Sequence, residues 1–448
     1  MINILRSVVA ATLLPCALPA FAAAQVPPEP PASQMPRPVY TGPPVTLQHV
    51  LDEALAQNPE LLALRAEFEA ARQRPAQSGF LAPPTFEAQI WRWPINTLNP
   101  ANTNMYMFMG RQELPGRGKR GLSAALAEKD AALVEADIAV EARLVIDRVK
   151  RAYADLFLAR AAIAINHDSL DLLRQFADIT SVKYTTGRTS QEETLKVIVE
   201  ISRLHDDLVT LRQRASLAEA QLNTLLDRRP DAPLGPIAEP RERVLLPDSS
   251  SLQALALEQQ PELRVAALGI ERSQAALAVA ASDYKPDFFV VGGYMLMPRQ
   301  TDAWTASVGI TWPSAPWSRG RLDAKKAEAA ADVEATRARR RTAENRVRLA
   351  VQDAYIRVKS AEQRAALLRT TVIPQARQTL EVARVGYQAD RVSFLTLIDD
   401  QRVLLDAQLE YYRALSDLET ALADLERAVG ADLTPAMVRQ AAGREVAR

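Results

Sequence analysis

The sequence predicts a mainly α-helical, internally duplicated protein with a smaller part that has the character of a membrane β-barrel. Three observations support this fold class. Gly is rare, 16 of 448 residues, and long runs lack both Gly and Pro, as is typical of long helices. NPEL at 58–61 returns as QPEL at 260–263, and AY at 152–153 returns at 354–355, each 202 residues later. Segments that alternate apolar and small polar residues lie between the helical runs.

The N-terminus has the pattern of an export signal. Arg6 supplies a positive charge, residues 8–21 are mostly apolar, and small residues precede Gln25, so residues 1–24 are a predicted signal peptide. Lipidation at Cys16 stays open, although the preceding proline matches a lipoprotein signal poorly. Residues 25–45 are rich in proline and predict an extended tether with no core of its own.

Two repeats and a tail account for the rest of the chain. The first repeat covers residues 46–240, the second covers 241–430, and the tail covers 431–448. Helices of the predicted length need partners along their sides, as in a coiled coil, and Pro374 should kink or interrupt one of them. The predicted long helices span about 119–186, 188–229, 320–386 and 388–429.

Four further segments predict strands that cross a membrane, at about 85–93, 103–114, 287–297 and 302–313. In the last of these, Trp304 and Trp312 bracket an apolar face that alternates with small polar residues, as in an aromatic girdle. Four strands cannot close such a barrel, and open edges would leave backbone groups unpaired in lipid. The chain should therefore oligomerise, with eight strands in a dimer or twelve in a trimer.

Composition excludes several functional classes. Lys plus Arg and Asp plus Glu both number 54, which argues against a dedicated nucleic-acid binder. Three His and one Cys leave little material for a resident metal site, and no long apolar run follows the N-terminus. His167, Asp168 and Ser169 are triad residue types, but consecutive helical residues diverge, so a solvated helix face is expected. No enzyme activity, catalytic residue or cofactor is predicted.

The duplicated pattern and three local motifs resemble the TolC-like outer-membrane factor family, with features of its heavy-metal efflux subgroup. The motifs are LAQNPEL at 55–61, QELPGRGKR at 112–120 and YTTGRTS at 184–190. The resemblance implies a homotrimeric α/β-barrel duct in the outer membrane, with a long periplasmic tunnel. It also implies a periplasmic adaptor (membrane fusion protein) and an inner-membrane pump of the RND type as partners.

Two turns between paired helices are the predicted adaptor-docking tips, at the end far from the barrel. The second turn departs from the first because an Asp replaces the Gly, which puts its geometry in question. The predicted docking residues are Thr186, Gly187, Thr189, Ser190, Ala389, Asp390, Val392 and Ser393.

Charged residues beside these turns predict a gate. Three protomers would multiply an inward carboxylate into a ring that favours cations, and arginines could hold the closed state. The predicted gate residues are Arg188, Glu192, Glu193, Arg391, Asp399 and Asp400. The family resemblance assigns the constriction best to Asp399.

Alternation along the strands also predicts methionines that face the lumen. If the tryptophan face meets lipid, the opposite face carries Met105, Met107, Met109, Met295 and Met297. Thioethers bind soft Cu(I) and Ag(I), whereas flexible gap-filling is the simpler explanation.

The leading functional hypothesis is a passive exit duct driven by a partner pump, with heavy-metal cations as one substrate class. A duct for drugs or secreted proteins is the alternative within the same family. A structural periplasmic coiled-coil protein is the alternative from a different class, and girdled strands argue against it.

Overall fold

The computed structural model describes residues 36–433 except 92, 94, 96–98, 100–101, 240–245 and 299. The predicted signal peptide, Cys16, most of the proline-rich segment and most of the tail lie outside the described residues. The first half of the chain contains α1 (Leu47–Gln57), α2 (Pro59–Ala71), α3 (Arg74–Gly79), β1 (Thr85–Trp91), β2 (Met105–Leu114), α4 (Lys119–Thr185) and α5 (Gln191–Leu225).

The second half contains helices and strands in a similar order. They are α6 (Ser249–Gln259), α7 (Pro261–Ser282), β3 (Asp287–Leu296), β4 (Ala303–Thr311), α8 (Arg319–Leu367), α9 (Ile373–Gln388) and α10 (Phe394–Val429). The chain is mostly helical, and α4 alone, with 67 residues, extends about 100 Å. The observed α10 begins at Phe394 rather than near 388, because residues 389–393 form the turn that precedes it.

Pro374 does not end its helix. A π-helical turn, Leu368–Val372, joins α8 to α9, and Pro374 occupies the first turn of α9. The wider turn accommodates a residue that cannot donate a backbone hydrogen bond. The rod therefore continues through the proline.

The four strands form one antiparallel sheet in the order β1-β2-β3-β4. Gly116 joins this sheet to the helices: its backbone N–H donates to Asp287 Oδ1 at 2.7 Å, and Lys119 Nζ lies 2.9 Å from the same carboxylate. A Cβ at Gly116 would lie 2.4 Å from the carbonyl oxygen of Pro286. The glycine of the PGRGKR motif is thus required by the close approach of two backbones.

Apolar packing divides into clusters along the helices. One cluster joins the far half of α4 to α5, α9 and α10, and it includes Phe176, Leu208 and Leu397. Others join α4 to α1 and α5, and α8 to α6 and α10. Asp147 of α4 is buried and pairs with Arg151 at 3.1 Å, and Arg151 also contacts Asp424 of α10. The polar residues therefore join two helices.

The end of the predicted tether is not free of the helical body. Arg37 pairs with Asp168 and Asp171 of α4 at 2.8 and 2.7 Å. The Tyr40 ring lies 3.8 Å from the guanidinium of buried Arg160. Residues 36–45 thus pack on the helices, which corrects the expectation for this part of the segment.

Candidate functional site

The first helical tip is a tight turn between α4 and α5. Gly187 has φ +68°, its N–H donates to the Tyr184 carbonyl at 3.0 Å, and the Arg188 N–H donates to the Lys183 carbonyl at 2.9 Å. This pair of bonds is the Schellman pattern, in which a left-handed residue closes a helix. Glycine suits the position because it has no Cβ.

The second tip, between α9 and α10, has the same geometry without the glycine. Asp390 has φ +55°, its N–H donates to the Tyr387 carbonyl at 3.2 Å, and the Arg391 N–H donates to the Gly386 carbonyl at 2.8 Å. Lys183 of the first tip reaches across and pairs with the Asp390 carboxylate at 2.5 Å. That contact lowers the pKa of Asp390. The departure in sequence therefore leaves the turn unchanged, because aspartate tolerates this backbone and gains a partner there.

Tyr387 joins the two tips. It is 5% exposed, and its hydroxyl donates to Glu193 of α5 at 2.9 Å. Lys183 Nζ donates to the Tyr387 carbonyl and lies 4.1 Å from the centre of its ring. Burial, reinforced by the Glu193 carboxylate, raises the pKa of the Tyr387 hydroxyl, so the group stays a proton donor. Thr189 gives Glu193 a second hydroxyl donor.

The predicted gate residues are brought to one end of the helices, but the expected arginine pairs do not form within the protomer. Glu192 pairs with Lys196 at 2.7 Å, whereas Glu193 is bound by hydroxyls. Within the part of the chain that the structure describes, neither Arg188 nor Arg391 lies within ion-pair distance of a carboxylate, although the charge of Arg188 contributes to the lowered pKa of Asp390. The nearer lysine, tyrosine and threonine satisfy the two glutamates instead.

Asp399 and Asp400 follow the second tip on α10. Asp399 is exposed and Asp400 is partly buried. Burial, together with the charge of Asp399, raises the pKa of Asp400. The nearby Arg402 is paired with Glu200 at 2.6 Å, and its pKa is raised by that contact and, to a smaller extent, by the charge of Asp399.

Most predicted docking residues are exposed at the tips, namely Thr186, Gly187, Ser190, Ala389, Asp390 and Ser393. Thr189 and Val392 are half-buried, because Thr189 binds Glu193 and Val392 packs against Gly386. Ser393 also caps α10, accepting a bond from the Thr396 N–H at 3.2 Å.

The sheet has two chemically different faces, which the strand register defines. In an antiparallel pair, directly opposite residues point to the same side. The apolar face carries Phe86, Ala88, Ile90, Tyr106, Phe108, Phe288, Val290, Trp304, Val308 and Ile310. The methionine face carries Glu87, Gln89, Trp91, Met105, Met107, Met109, Arg111, Phe289, Val291, Met295, Thr305 and Ser307. Met297 lies beyond the end of β3, so the register assigns it no face.

The two faces also differ in exposure and crowding. Phe86, Trp304 and Val308 are 83%, 82% and 76% exposed, whereas the four methionines of the other face are half-buried. A Cβ at Gly309, on the methionine face, would lie 2.0 Å from the Phe289 ring. The apolar face is therefore the open one, and the methionine face is tightly packed.

Sequence reasoning missed Tyr387 and the contacts across the tips. The two turns align Tyr184 with Tyr387, since each tyrosine precedes its left-handed residue by three positions. Tyr184 is 47% exposed and Tyr387 is buried, so the aligned residues have different roles. The turn motif identifies the position of the tyrosine, but only the packing of the helices distinguishes the role of Tyr387 from that of Tyr184.

The triad-like residues correct one expectation. His167 and Ser169 are buried in α4 rather than solvated, because several helices cover this stretch, and Asp168 is exposed and pairs with Arg37. Among the described residues, no three His, Cys, Asp or Glu side chains come together as a metal site. None of the helices in the described ranges has both the length and the apolar character needed to cross a membrane.

A known protein family matches the second half of the chain. Residues 252–431 match the family described as Outer membrane efflux protein. The second half of the chain therefore resembles this family.

Individual relatives share the fold over most of their length. The chain is 24% identical over 395 residues to the cobalt-zinc-cadmium resistance protein CzcC of Cupriavidus metallidurans, covering 86% of this chain and 90% of the relative. It resembles the outer-membrane channel OprN with a TM-score of 0.73 and 20% identity, covering 86% and 89% of the two chains. It resembles CusC with a TM-score of 0.73 and 17% identity, covering 89% and 97%. OprN is described as an outer-membrane channel, and the CusC structures are described in terms of transmembrane channel formation.

Proposed function

We propose that the chain is the outer-membrane channel of a tripartite efflux system, which passively conducts substrates delivered by an inner-membrane pump and a periplasmic adaptor. One observation carries the proposal: a sheet with an exposed apolar face stands at the end of helices about 100 Å long. The apolar face fits lipid, and the helices are long enough to reach into the periplasm. A structural coiled coil has no use for such a sheet.

The channel is a homotrimer in this proposal. Among the described residues of the protomer, strands β1 and β4 each have one unpaired edge, and these edges cannot stay open in lipid. Joining β4 of one protomer to β1 of the next closes a ring, which has twelve strands in a trimer. A dimer would close a ring of eight strands, and side chains fill the interior of so narrow a ring. Exposed apolar residues on the helices, such as Val199, Leu349 and Ile356, supply further surface for contact between protomers.

The mass and conductance of the purified protein test this proposal. Membranes extracted with detergent should yield a species three times the protomer mass by light scattering, and it should conduct ions in planar bilayers. The control is the Trp304→Asp, Val308→Asp variant, which places charge on the apolar face and should prevent membrane insertion. A soluble, elongated wild-type monomer without conductance would favour the structural coiled coil instead.

The helical tips are the adaptor-docking surface in this scheme. Thr186 and Ala389 are exposed on neighbouring turns that Lys183 holds together, so one partner can touch both. A photocrosslinker at either residue should capture a periplasmic adaptor in cells. Arg117, exposed near the sheet, is the control position. Capture of the adaptor from Arg117 alone would show that the chain has the opposite orientation to the one proposed.

The acidic surface of α10 is the gate. Exposed Asp399 and partly buried Asp400 would be repeated three times around the axis, which favours cations. Arg391 is exposed and has no ion pair among the described residues, so it is available to a neighbouring protomer. Asp399→Asn should lower cation selectivity in bilayers, and Arg391→Gln should raise the open probability. Glu381→Gln, whose carboxylate is already paired with Arg384, is the matched control. If both variants conduct like the Glu381→Gln control in single-channel recordings, these residues do not form the gate.

Heavy-metal cations are the proposed substrate class. Support comes from the relative named as a cobalt-zinc-cadmium resistance protein and from an acidic tip surface suited to cations. A deletion strain should lose metal tolerance and regain it with the plasmid-borne gene. Loss of tolerance to drugs alone, or of protein secretion, would assign the duct to the alternative substrates.

A further inference from the structure

Four thioethers form a cluster on the methionine face of the sheet. Met105, Met107 and Met109 occupy alternate positions of β2, and Met295 of β3 stands directly opposite Met107. The Cβ atoms of directly opposite residues lie about 5 Å apart, so the two flexible side chains can place their sulfur atoms on a common ligand.

Neighbouring residues draw a third thioether toward this pair. A Cβ at Gly293 would lie 3.0 Å from Met109 Cγ, so the Met109 side chain leans across β3 beside the strand position two residues before Met295. The absence of a side chain at Gly293 leaves room for it. Three sulfur atoms from two adjacent strands can therefore converge.

The charge around the cluster is favourable for a cation. Gln89 and Glu87 of β1 stand opposite Met107 and Met109, and the Gln89 amide holds the Glu87 carboxylate at 2.6 Å. Arg111 is the cation on this face of β2, and it is held over the Phe289 ring at 4.3 Å and pairs with Glu113 at 3.3 Å. Its charge is thus compensated beside the cluster.

We propose that Met107, Met109 and Met295, with Met105 next to them, form a transit site for soft monovalent metal ions, Cu(I) and Ag(I), on their way through the duct. Thioethers are soft ligands that select such ions over borderline ones such as Zn(II). A barrel interior is ordinarily polar, and this face carries Thr305, Ser307 and the Glu87 carboxylate besides the apolar Trp91, Phe289 and Val291. The proposal rests on the proposed function, because it takes the methionine face to line the lumen.

Protection of methionine against oxidation tests the site in the wild-type protein. The detergent-purified protein is treated with hydrogen peroxide with and without silver nitrate, in chloride-free buffer, and sulfoxide is mapped by peptide mass spectrometry. Met107 and Met295 should oxidise at least tenfold more slowly with Ag(I). Met297, outside the paired strands, is the internal reference. Equal protection of Met297, or none at Met107 and Met295, overturns the proposal.

Affinity and tolerance provide a second, independent measurement. The Met107→Leu, Met295→Leu variant keeps apolar volume and removes sulfur, and it should bind Ag(I) at least tenfold more weakly by calorimetry. Met297→Leu is the matched variant and should bind like wild type. In a strain that depends on this duct, the double variant should lose copper and silver tolerance while zinc tolerance persists. Equal affinities in the two variants show that the methionines only fill space.

The two proposals fail separately. A wild-type protein that forms no conducting pore in bilayers refutes the duct, whatever its metal binding. A conducting protein without protected methionines keeps the duct and refutes the transit site.

Discussion

Removing the Tyr387 hydroxyl should loosen the junction between the two helical tips. In Tyr387→Phe the buried ring and its contact with Phe394 remain, and the bond to Glu193 at 2.9 Å is lost. A hydrogen bond to a charged group contributes about 1.5 to 3 kcal/mol. Because Glu193 is half-buried and keeps its hydrogen bond from the Thr189 hydroxyl, we expect the loss of the Tyr387 hydroxyl to cost about 1.5 kcal/mol, the lower end of this range. That change raises the population of the locally open tip about tenfold.

Hydrogen exchange of backbone amides measures this opening directly. Amides of residues 183–193 and 385–397 should exchange about tenfold faster in Tyr387→Phe than in wild type, and those of the buried middle of α4 should not change. Tyr184→Phe is the matched control, because the aligned Tyr184 is exposed and makes no side-chain hydrogen bond to the described residues. Exchange at the tips within twofold of the control would refute the role given to the hydroxyl.

Three further changes test other parts of the protomer. Gly309→Ala places a Cβ against the Phe289 ring and should destabilise the sheet by about 1 to 3 kcal/mol, seen as a lower melting temperature of the oligomer, whereas Gly292→Ala points into open space and should melt like wild type. Arg160→Met leaves Glu219 and the carbonyls of Leu234 and Gly235 without their buried partner, and should cost about 3 kcal/mol in denaturant unfolding, with Arg229→Met on the surface as control. Hydrogen bonds from the Ser250 and Ser251 hydroxyls lower the pKa of Asp248 to about 2. Because the pKa is lower in the folded state than in the unfolded state, the ionised Asp248 contributes its whole stabilisation above about pH 4, and this contribution is lost as the pH falls toward 2. Asp248→Asn, which can still cap α6, should therefore weaken the fall in unfolding temperature between pH 5 and pH 2.5, and an unchanged fall would contradict this origin.

The sheet and the turns were accessible from the sequence because they depend on local pattern. Period-two alternation around Trp304 and Trp312 gave a strand and both of its faces, and the registers of β2 and β3 place the same residue types together. The left-handed turn at Gly187 followed from the residue type. Local patterns of this kind need no knowledge of which helices meet.

Contacts between distant segments were not accessible in the same way. Nothing near Asp147 in the sequence indicates that Arg151 beside it will meet Asp424 of α10, and nothing in the proline-rich segment indicates that Arg37 will reach α4. The partners of Glu193 were also missed, because the arginines are closer in sequence whereas Tyr387 is closer in space. Propensity identifies the helices, but the packing decides which charges they pair.

The tip therefore contains two kinds of contact that act at different levels. Some contacts form inside a single protomer, namely the ion pair of Lys183 with Asp390 and the hydrogen bond from Tyr387 to Glu193. They hold the two helical hairpins of the protomer together whether or not neighbouring protomers are present. Within the described chain, Arg391 is left without an acid, and Asp399 is exposed on the next turns of α10. A charge left unsatisfied within one protomer and repeated by symmetry is available to a neighbouring copy. In the proposed trimer, an opening that separates protomers should break the proposed arginine–carboxylate contacts between them first, and it should disturb Tyr387 only if the hairpins of one protomer also part.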